Sequence, residues 1–153
     1  MWKPCTLTWR KIRNKDKKAK IMKKREILFR GWNEKNKKWL YGYYFAYKGY
    51  HFISPDVLKD FSIPLDEYLV DADTVGQYTG LKDAKGKRIF EGDIIEGFGC
   101  RHILLYNDRV ARFVATIEEV SYTKCGIDQR WIDEFGKVAV GNVYEDKELI
   151  EKD

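Results

Sequence analysis

The sequence lacks any long run of apolar residues. No stretch approaches the roughly 18 consecutive apolar residues that a membrane-spanning helix needs, and the basic N-terminal segment has no apolar region typical of a secretory signal. These two absences predict a soluble protein that resides in the cytoplasm and makes no membrane contact.

Cysteine and histidine are scarce as well, with three and two residues in a chain of 153. The odd set Cys5, Cys100 and Cys125 argues against a disulfide framework and favours reduced thiols. His102 follows Cys100 closely, but His51 and Cys125 do not supply the paired spacing of a structural zinc site. The sequence therefore predicts no metal and no cofactor.

A catalytic set of side chains is also missing. Cys100 and His102 would share one face of a strand, but no acid stands nearby in the sequence to orient the imidazole. Carboxylates are plentiful, yet none has a spacing that a particular reaction requires. We predict that the protein is not an enzyme; the alternative is a carboxylate-based hydrolase.

Basic charge is concentrated at one end of the chain. Residues 1–25 contain 11 lysines and arginines against one aspartate, whereas residues 26–153 contain 18 basic and 23 acidic residues. The basic segment is either an arm that engages an anion such as nucleic acid or an extension upstream of a second translation start at Met22. We therefore expect a basic extension, residues 1–24, followed by one domain, residues 25–153.

Aromatic residues make up 15% of the chain, and they favour strands. Residues 27–32 predict a first strand, residues 39–47 a return strand after a polar loop, and residues 50–53 a third strand after the Lys48-Gly49 turn. This pattern predicts an antiparallel meander in a mainly β (α+β) domain with short helices.

The predicted return strand has an aromatic residue at every second position, and alternate side chains share one face of a strand. One face would hold Trp39, Tyr41, Tyr43, Phe45 and Tyr47, and the other Tyr44. Such a row can form a core, a subunit interface, where Tyr and Trp are enriched, or a platform for single-stranded bases. Because residues 26–153 are acidic, we favour core plus interface.

Later segments also predict strands. Residues 101–106 and 109–120 predict a hairpin with its turn at Asn107-Asp108, and residues 138–144 predict the last strand. Alternation in the second arm predicts one buried face, formed by Phe113, Ala115 and Ile117. The intervening positions, which would face away from it, are Arg112, Val114 and Thr116.

A strand, turn and strand unit spans residues 75–96. Asp83 and Gly86 stand at the first and fourth positions of a turn, where a type I turn prefers these residues. Asp93, after Gly92, is placed to accept hydrogen bonds from backbone N–H groups. These residues predict a structural bend. The alternative is a ligand site, built by Gln77, Tyr78, Asp83 and Asp93.

Three blocks of sequence carry a resemblance to a known family. The longest comprises residues 75–83 (VGQYTGLKD), Gly86-Lys87 and residues 89–95 (IFEGDII). Two weaker blocks surround it in the expected order: residues 25–32 (REILFRGW), and residues 140–145 (VGNVYE) with Glu148-Leu149. Together they resemble the YopX family of proteins encoded by bacteriophages and prophages. Such proteins usually begin near Met22, which favours the extension interpretation of residues 1–21.

The resemblance implies a small SH3-like β-barrel, self-association and a location in the cytoplasm of a bacterial host. It implies no known activity and carries over no catalytic residues. We therefore predict a phage or prophage accessory protein of unknown molecular function that binds a host or phage protein or its own copies. The candidate contact residues are Tyr41, Tyr43, Tyr44, Gln77, Tyr78, Asp83 and Asp93.

The alternative function is a nucleic-acid-binding module that uses the basic arm and the aromatic strand. Its affinity would depend steeply on salt and would fall when residues 1–21 are removed.

Overall fold

Antiparallel strands account for most of the regular structure, so the prediction of a mainly β fold is confirmed. The structure is a computed structural model, and it describes residues 25–55, 64–117 and 126–150. The predicted basic extension, residues 1–24, lies outside the described residues, and so does Cys125.

The first sheet has six strands, in the spatial order β4-β3-β2-β1-β5-β6. Its strands are β1 Phe29–Asn33, β2 Lys38–Tyr47, β3 Tyr50–Ser54, β4 Leu69–Val70, β5 Gly76–Lys82 and β6 Arg88–Phe90. The meander of β1, β2 and β3 is the one that the aromatic pattern predicts. Its second turn has positive φ at Lys48 and Gly49, as a two-residue hairpin loop requires.

Strand β2 changes partner at its centre. Lys38 to Gly42 pair with β1, whereas Tyr43 to Tyr47 pair with β3. A Cβ on Gly42 would lie 2.6 Å from the carbonyl carbon of Ser54 and 2.8 Å from the Cα of Pro55. The close approach of these chains therefore requires glycine at the point where the strand changes partner.

The second sheet has four strands, in the order β10-β7-β8-β9. They are β7 Asp93–Gly97, β8 Cys100–Asn107, β9 Arg112–Thr116 and β10 Val138–Asn142. No closed barrel is formed by the strands of the described residues, so the SH3-like barrel stays a prediction.

A small core joins the two sheets. Ile89 of the first sheet packs with Ile95 and Leu104 of the second, and all three side chains are fully buried. Strand β6 leads directly into β7 through Glu91 and Gly92. The junction between the sheets is therefore short and well packed, and it positions the groove described below.

A short helix of six residues, α1 (Gln129–Glu134), packs on this core. The sequence pattern did not predict this helix. The Asp128 carboxylate accepts a hydrogen bond from the backbone N–H of Trp131 at 2.8 Å and so caps the helix. Ile132 is fully buried and belongs to the core cluster. Three short 3₁₀ turns lie at Leu65–Tyr68, Ala72–Thr74 and Lys147–Leu149.

The predicted alternation in β9 is wrong in part. Val114 and Thr116 are buried along with Phe113 and Ala115, whereas Ile117 is 50% exposed. Val114 forms a β-bridge with Gly126, so the side of β9 that was expected to face water is covered. Ile117 follows the last residue of the strand, and it therefore lies beyond the sheet.

No helix in residues 25–55, 64–117 or 126–150 has the length and apolar character needed to cross a membrane.

Candidate functional site

The three sequence blocks described above meet at one groove between the two sheets. The groove has a volume of about 460 Å³, and we call it the junction groove. Strand β1 contributes Arg30, and the turn between β5 and β6 contributes Lys87. The β6–β7 segment contributes Phe90 and Asp93, and the chain after β10 contributes Glu145. Trp39 and Tyr41 of β2 form the remaining wall.

A buried ion pair between Arg30 and Asp93 forms the floor of the groove. The two side chains are 6% and 4% exposed. Arg30 donates a second hydrogen bond to the carbonyl oxygen of Glu91 at 3.0 Å, and the other oxygen of Asp93 accepts one from the N–H of Phe90 at 2.8 Å. The pair therefore ties β1 to the turn that joins the two sheets, across 63 residues of sequence.

The Asp93 carboxyl is held in an environment that disfavours its charge. Burial raises the pKa of Asp93 above its ordinary value, and the charge of Arg30 together with the N–H of Phe90 offsets part of that rise. Both groups are engaged with each other and with the backbone. The floor of the groove therefore holds two opposite charges in fixed positions.

Aromatic rings enclose the guanidinium of Arg30. Its central carbon lies 4.9 Å from the ring centroid of Trp39 and 5.5 Å from that of Phe90. Tyr41 packs edge-on against Phe90 at 5.4 Å, and burial raises the pKa of its phenol. These rings present flat apolar surface beside a fixed charge, which is suited to binding a ligand.

The far rim of the groove is fixed by Asn142, which is itself buried. Its side-chain oxygen accepts hydrogen bonds from the N–H groups of Tyr144 and Glu145 at 2.9 and 3.1 Å. Its side-chain amide donates to the Glu145 carboxylate at 2.8 Å, and the same carboxylate oxygen accepts a bond from Nε1 of Trp39 at 2.8 Å. The C-terminal block is therefore anchored to β2 and to the groove.

Of the seven predicted contact residues, the structure brings only Tyr41 and Asp93 together in the groove. Tyr78 lies beneath it, buried against Phe90 with ring centroids 5.5 Å apart. Gln77 lines a separate cavity. Tyr44 shares a 2.7 Å hydrogen bond with the Nδ1 atom of His51 and does not reach the groove.

Sequence reasoning missed Arg30, Trp39 and Lys87 as members of the site. The signal that could have identified Arg30 and Lys87 was their place in the sequence blocks that carry the family resemblance. Arg30 and Lys87 stand inside two of the blocks, and the third block forms the far rim. Their convergence depends on long-range strand pairing, which no local pattern reports.

Asp83 has a structural role in a turn. Its carboxylate is buried and accepts hydrogen bonds from the N–H groups of Lys85, Lys87 and Ala139 at 2.9, 2.8 and 3.1 Å. The N–H of Gly86 donates to the Asp83 carbonyl at 2.8 Å, which confirms the predicted turn. This position therefore holds β10 against the turn that carries Lys87.

Replacing Asp83 with alanine should lower the free energy of unfolding by about 1.5–3 kcal/mol, because three backbone N–H groups lose a charged acceptor. Urea denaturation of the variant measures this change. The matched control is Asp108→Ala, in the exposed turn after β8, where we expect a change below about 0.5 kcal/mol. Equal stability of the two variants would contradict the structural role of Asp83.

A row of rings extends from the groove along β2. We call the surface formed by Trp39, Tyr41, Tyr43, Phe45 and Tyr47, with Tyr50 opposite Tyr47 on β3, the aromatic face. Tyr41 and Tyr43 are each 48% exposed, and Tyr47 and Tyr50 are 58% and 61% exposed. The expectation that this row belongs to a core is therefore wrong for Tyr41, Tyr43 and Tyr47, because about half or more of each ring is exposed.

Potential metal ligands are scattered. Cys100 is an exposed free thiol, and His51 is bonded to Tyr44. Within the described part of the chain, no three His, Cys, Asp or Glu side chains are grouped as the ligands of a metal ion would be.

Comparison with known proteins identifies a family and finds matches among solved structures. A family model described as YopX protein matches residues 28–151. No curated protein matches the chain in sequence. Among solved structures, the crystal structure of protein EF1440 from Enterococcus faecalis is similar at 22% sequence identity and a TM-score of 0.48; the match covers 83% of this chain and 99% of that chain.

Proposed function

We propose that this chain, which belongs to the YopX protein family, acts by binding, and that its partner at the aromatic face is a second copy of itself. The observation that carries the proposal is the exposure of Tyr41, Tyr43, Tyr47 and Tyr50 on one surface. Tyr and Trp are enriched in protein interfaces, where their rings bury large areas at low entropic cost. We retain the expectation that the protein serves a phage or prophage as a cytoplasmic accessory protein.

The charges at the two ends of the aromatic face favour a two-fold arrangement. One end carries Lys48, whose ammonium lies 5.3 Å from the ring centroid of Tyr47. The other end carries the carboxylates of Glu145 and Asp146 at the rim of the groove. When two faces pack antiparallel about an axis near Tyr43, each lysine lies over the acids of the partner copy.

Nucleic acid is the second candidate partner. The observation that favours it is the exposure of rings at alternate positions of β2, where they could stack on bases. Residues 26–153, however, carry a net charge of −5, and the rim of the groove bears two carboxylates beside the rings. Phosphate repulsion at that rim favours protein over nucleic acid as the partner.

The proposal assigns the chain no catalytic reaction. The most deeply buried carboxylate of the groove, Asp93, is held by Arg30 and a backbone N–H, and the remaining acids lie at its rim. The SH3-like barrel is part of the same proposal. The β5–β6 hairpin places Ile89 on the core of the four-stranded sheet, as a closing edge of a small barrel would.

The experiment is a measurement of molar mass against concentration by light scattering and sedimentation. We expect the wild-type mass to rise toward that of a dimer. The Tyr43→Ser variant should self-associate at least about tenfold more weakly, because Tyr43 lies at the centre of the face. The matched control is Tyr106→Ser, since Tyr106 is 42% exposed but lies on β8 of the other sheet.

Two results would contradict the proposal. One is a monomer at every concentration, and the other is an equal loss of association in both variants. Binding to a single-stranded oligonucleotide that weakens steeply with salt and on removal of residues 1–21 would instead support the second candidate.

A further inference from the structure

The junction groove contains a lysine whose charge acts on the Asp93 carboxylate, a group already paired with Arg30. Lys87 lines the groove, and among the described residues no carboxylate lies within ion-pair distance of its ammonium. Its neighbour Arg88 differs, because it pairs with Glu26 at 3.1 Å and lies 5.8 Å from the ring centroid of Tyr78. Lys87 is therefore the cation that the groove offers to a ligand.

The backbone holds Lys87 in place. Its N–H donates to the Asp83 carboxylate at 2.8 Å, and its carbonyl oxygen accepts from the N–H of Asp83 at 2.8 Å. The same carboxylate is bonded to β10 through Ala139. The position of the lysine at the rim is thus fixed by a buried network, whereas its side chain is exposed.

The floor of the groove has an unused hydrogen-bond donor. Both terminal nitrogens of Arg30 are engaged, one with Asp93 and one with the Glu91 carbonyl, but Nε has no hydrogen-bond partner. The side chain is 94% buried, and buried donors are normally satisfied. Because this atom is itself covered, Arg30 contributes charge to the floor of the groove and offers no donor at its surface.

The walls of the groove define the rest of the ligand. Nε1 of Trp39 is already bonded to Glu145, so this wall offers ring surface rather than a donor. Tyr41 and Phe90 add two further rings. On the opposite rim, Glu145 and Asp146 repel a second anion and favour backbone N–H groups or a basic side chain.

We propose that the junction groove binds an acidic peptide segment, whose carboxylate is held by Lys87 and whose adjoining aromatic or apolar side chain packs on Tyr41 and Phe90. The site shares Trp39 and Tyr41 with the aromatic face, but Lys87 and Arg30 lie outside that face. The acidic rim excludes a polyanion such as nucleic acid from the same place.

The test uses the full chain and two blocked peptides, acetyl-Gly-Ser-Glu-Phe-Ser-Gly-amide and its counterpart with Gln in place of Glu. We expect the Glu peptide to bind about two- to fivefold more tightly, since only this peptide forms an ion pair with the exposed Lys87, and such pairs contribute up to about 1 kcal/mol. Lys87→Gln should abolish this preference. The matched control, Lys85→Gln, removes a charge from the same turn outside the groove and should retain it.

A second readout reports on the floor of the groove. In a nitrogen-15 NMR spectrum, the Nε–H resonance of Arg30 should shift when the Glu peptide is added. The Tyr43→Ser variant keeps Lys87, Tyr41 and Phe90 and should bind the peptide at least as tightly as the wild type does, so failure of self-association and failure of peptide binding are read separately. Equal affinity for the two peptides, no binding at millimolar concentration, or an unchanged preference in Lys87→Gln would each overturn the proposal.

Discussion

Replacing Arg30 with alanine should lower the free energy of unfolding by about 3–5 kcal/mol, the loss expected when one partner of a buried ion pair is removed. Asp93 is 4% exposed and would stay buried without its cation. The hydrogen bond to the Glu91 carbonyl and the ring contacts with Trp39 and Phe90 would be lost as well. Urea denaturation at pH 7 measures the change.

The same variant should show a characteristic pH dependence. The pKa of Asp93 is raised in the folded protein by burial, so ionisation of this carboxyl disfavours the folded state. That penalty appears as the pH rises from the unfolded pKa, about 3.9, through the folded pKa. Without Arg30, the pKa of Asp93 in the folded protein rises further. The loss in free energy of unfolding of Arg30→Ala relative to wild type should therefore be smaller near pH 4 than at pH 7.

The matched control is Arg130→Ala. Arg130 pairs with Glu134 at 2.7 Å on the exposed side of α1, and its side chain is 82% exposed. Exposed pairs of this kind contribute about 0.5 kcal/mol or less. Two results would show that the buried Arg30–Asp93 pair does not stabilise the fold. One is similar stability of Arg30→Ala and Arg130→Ala, and the other is a loss in free energy of unfolding for Arg30→Ala that is independent of pH.

Replacing Ile132 with alanine should lower the free energy of unfolding by about 2–5 kcal/mol, because a fully buried side chain leaves a cavity in the core. Ile132 packs with Ile89 and Leu104, so this core includes both sheets. Loss of the contact should also loosen α1, a helix of six residues that is too short to be stable alone. Urea denaturation measures the first effect, and amide hydrogen exchange in α1 measures the second.

Ile117→Ala provides the comparison, since it makes the same chemical change at a side chain that is 50% exposed. We expect a loss below about 1 kcal/mol there. The sequence pattern alone predicts the opposite ranking, because it places Ile117 on a buried face and does not identify α1. A larger loss for Ile117→Ala would favour the pattern over the structure.

Local features of the fold could be predicted from the sequence. The meander of β1, β2 and β3 has alternating aromatics and a two-residue loop at Lys48-Gly49, and these signals act over a few residues. The turn from Asp83 to Gly86 was predicted for the same reason. Asp93 was expected to accept a backbone N–H, and it does so from Phe90, three residues earlier.

Features that depend on distant residues could not be predicted. The alternation of aromatic residues along β2 shows which rings share a face of the strand. It does not show which of the two faces is buried by the rest of the chain. Arg30 and Asp93 are 63 residues apart, and they meet because β1 pairs with β5, which leads through β6 to Asp93. Helix α1 was missed because six residues give too little periodicity to separate a helix from a loop.

The groove gives a physical meaning to the sequence blocks that carry the family resemblance. Residues from all three blocks line it, and two of its polar groups, Arg30 and Asp93, are buried and paired. The glycines and turns of the central block position Lys87 and Phe90 at this place. The blocks therefore specify a junction between two sheets and, on our proposal, a surface for binding.

Cross-linking at Tyr43 tests the central claim of self-association most directly. Facing sheets lie about 10 Å apart, so a short bismaleimide spans two cysteines at the axis of the proposed dimer. The Tyr43→Cys substitution also removes the central ring, so the reaction is run about a hundredfold above the wild-type dissociation constant, which offsets a weakening of about tenfold. In a chain with serine at the three native cysteines, Tyr43→Cys should then yield a cross-linked dimer, and Lys85→Cys should not be cross-linked. A monomer from Tyr43→Cys, or equal dimer from both variants, would contradict the account.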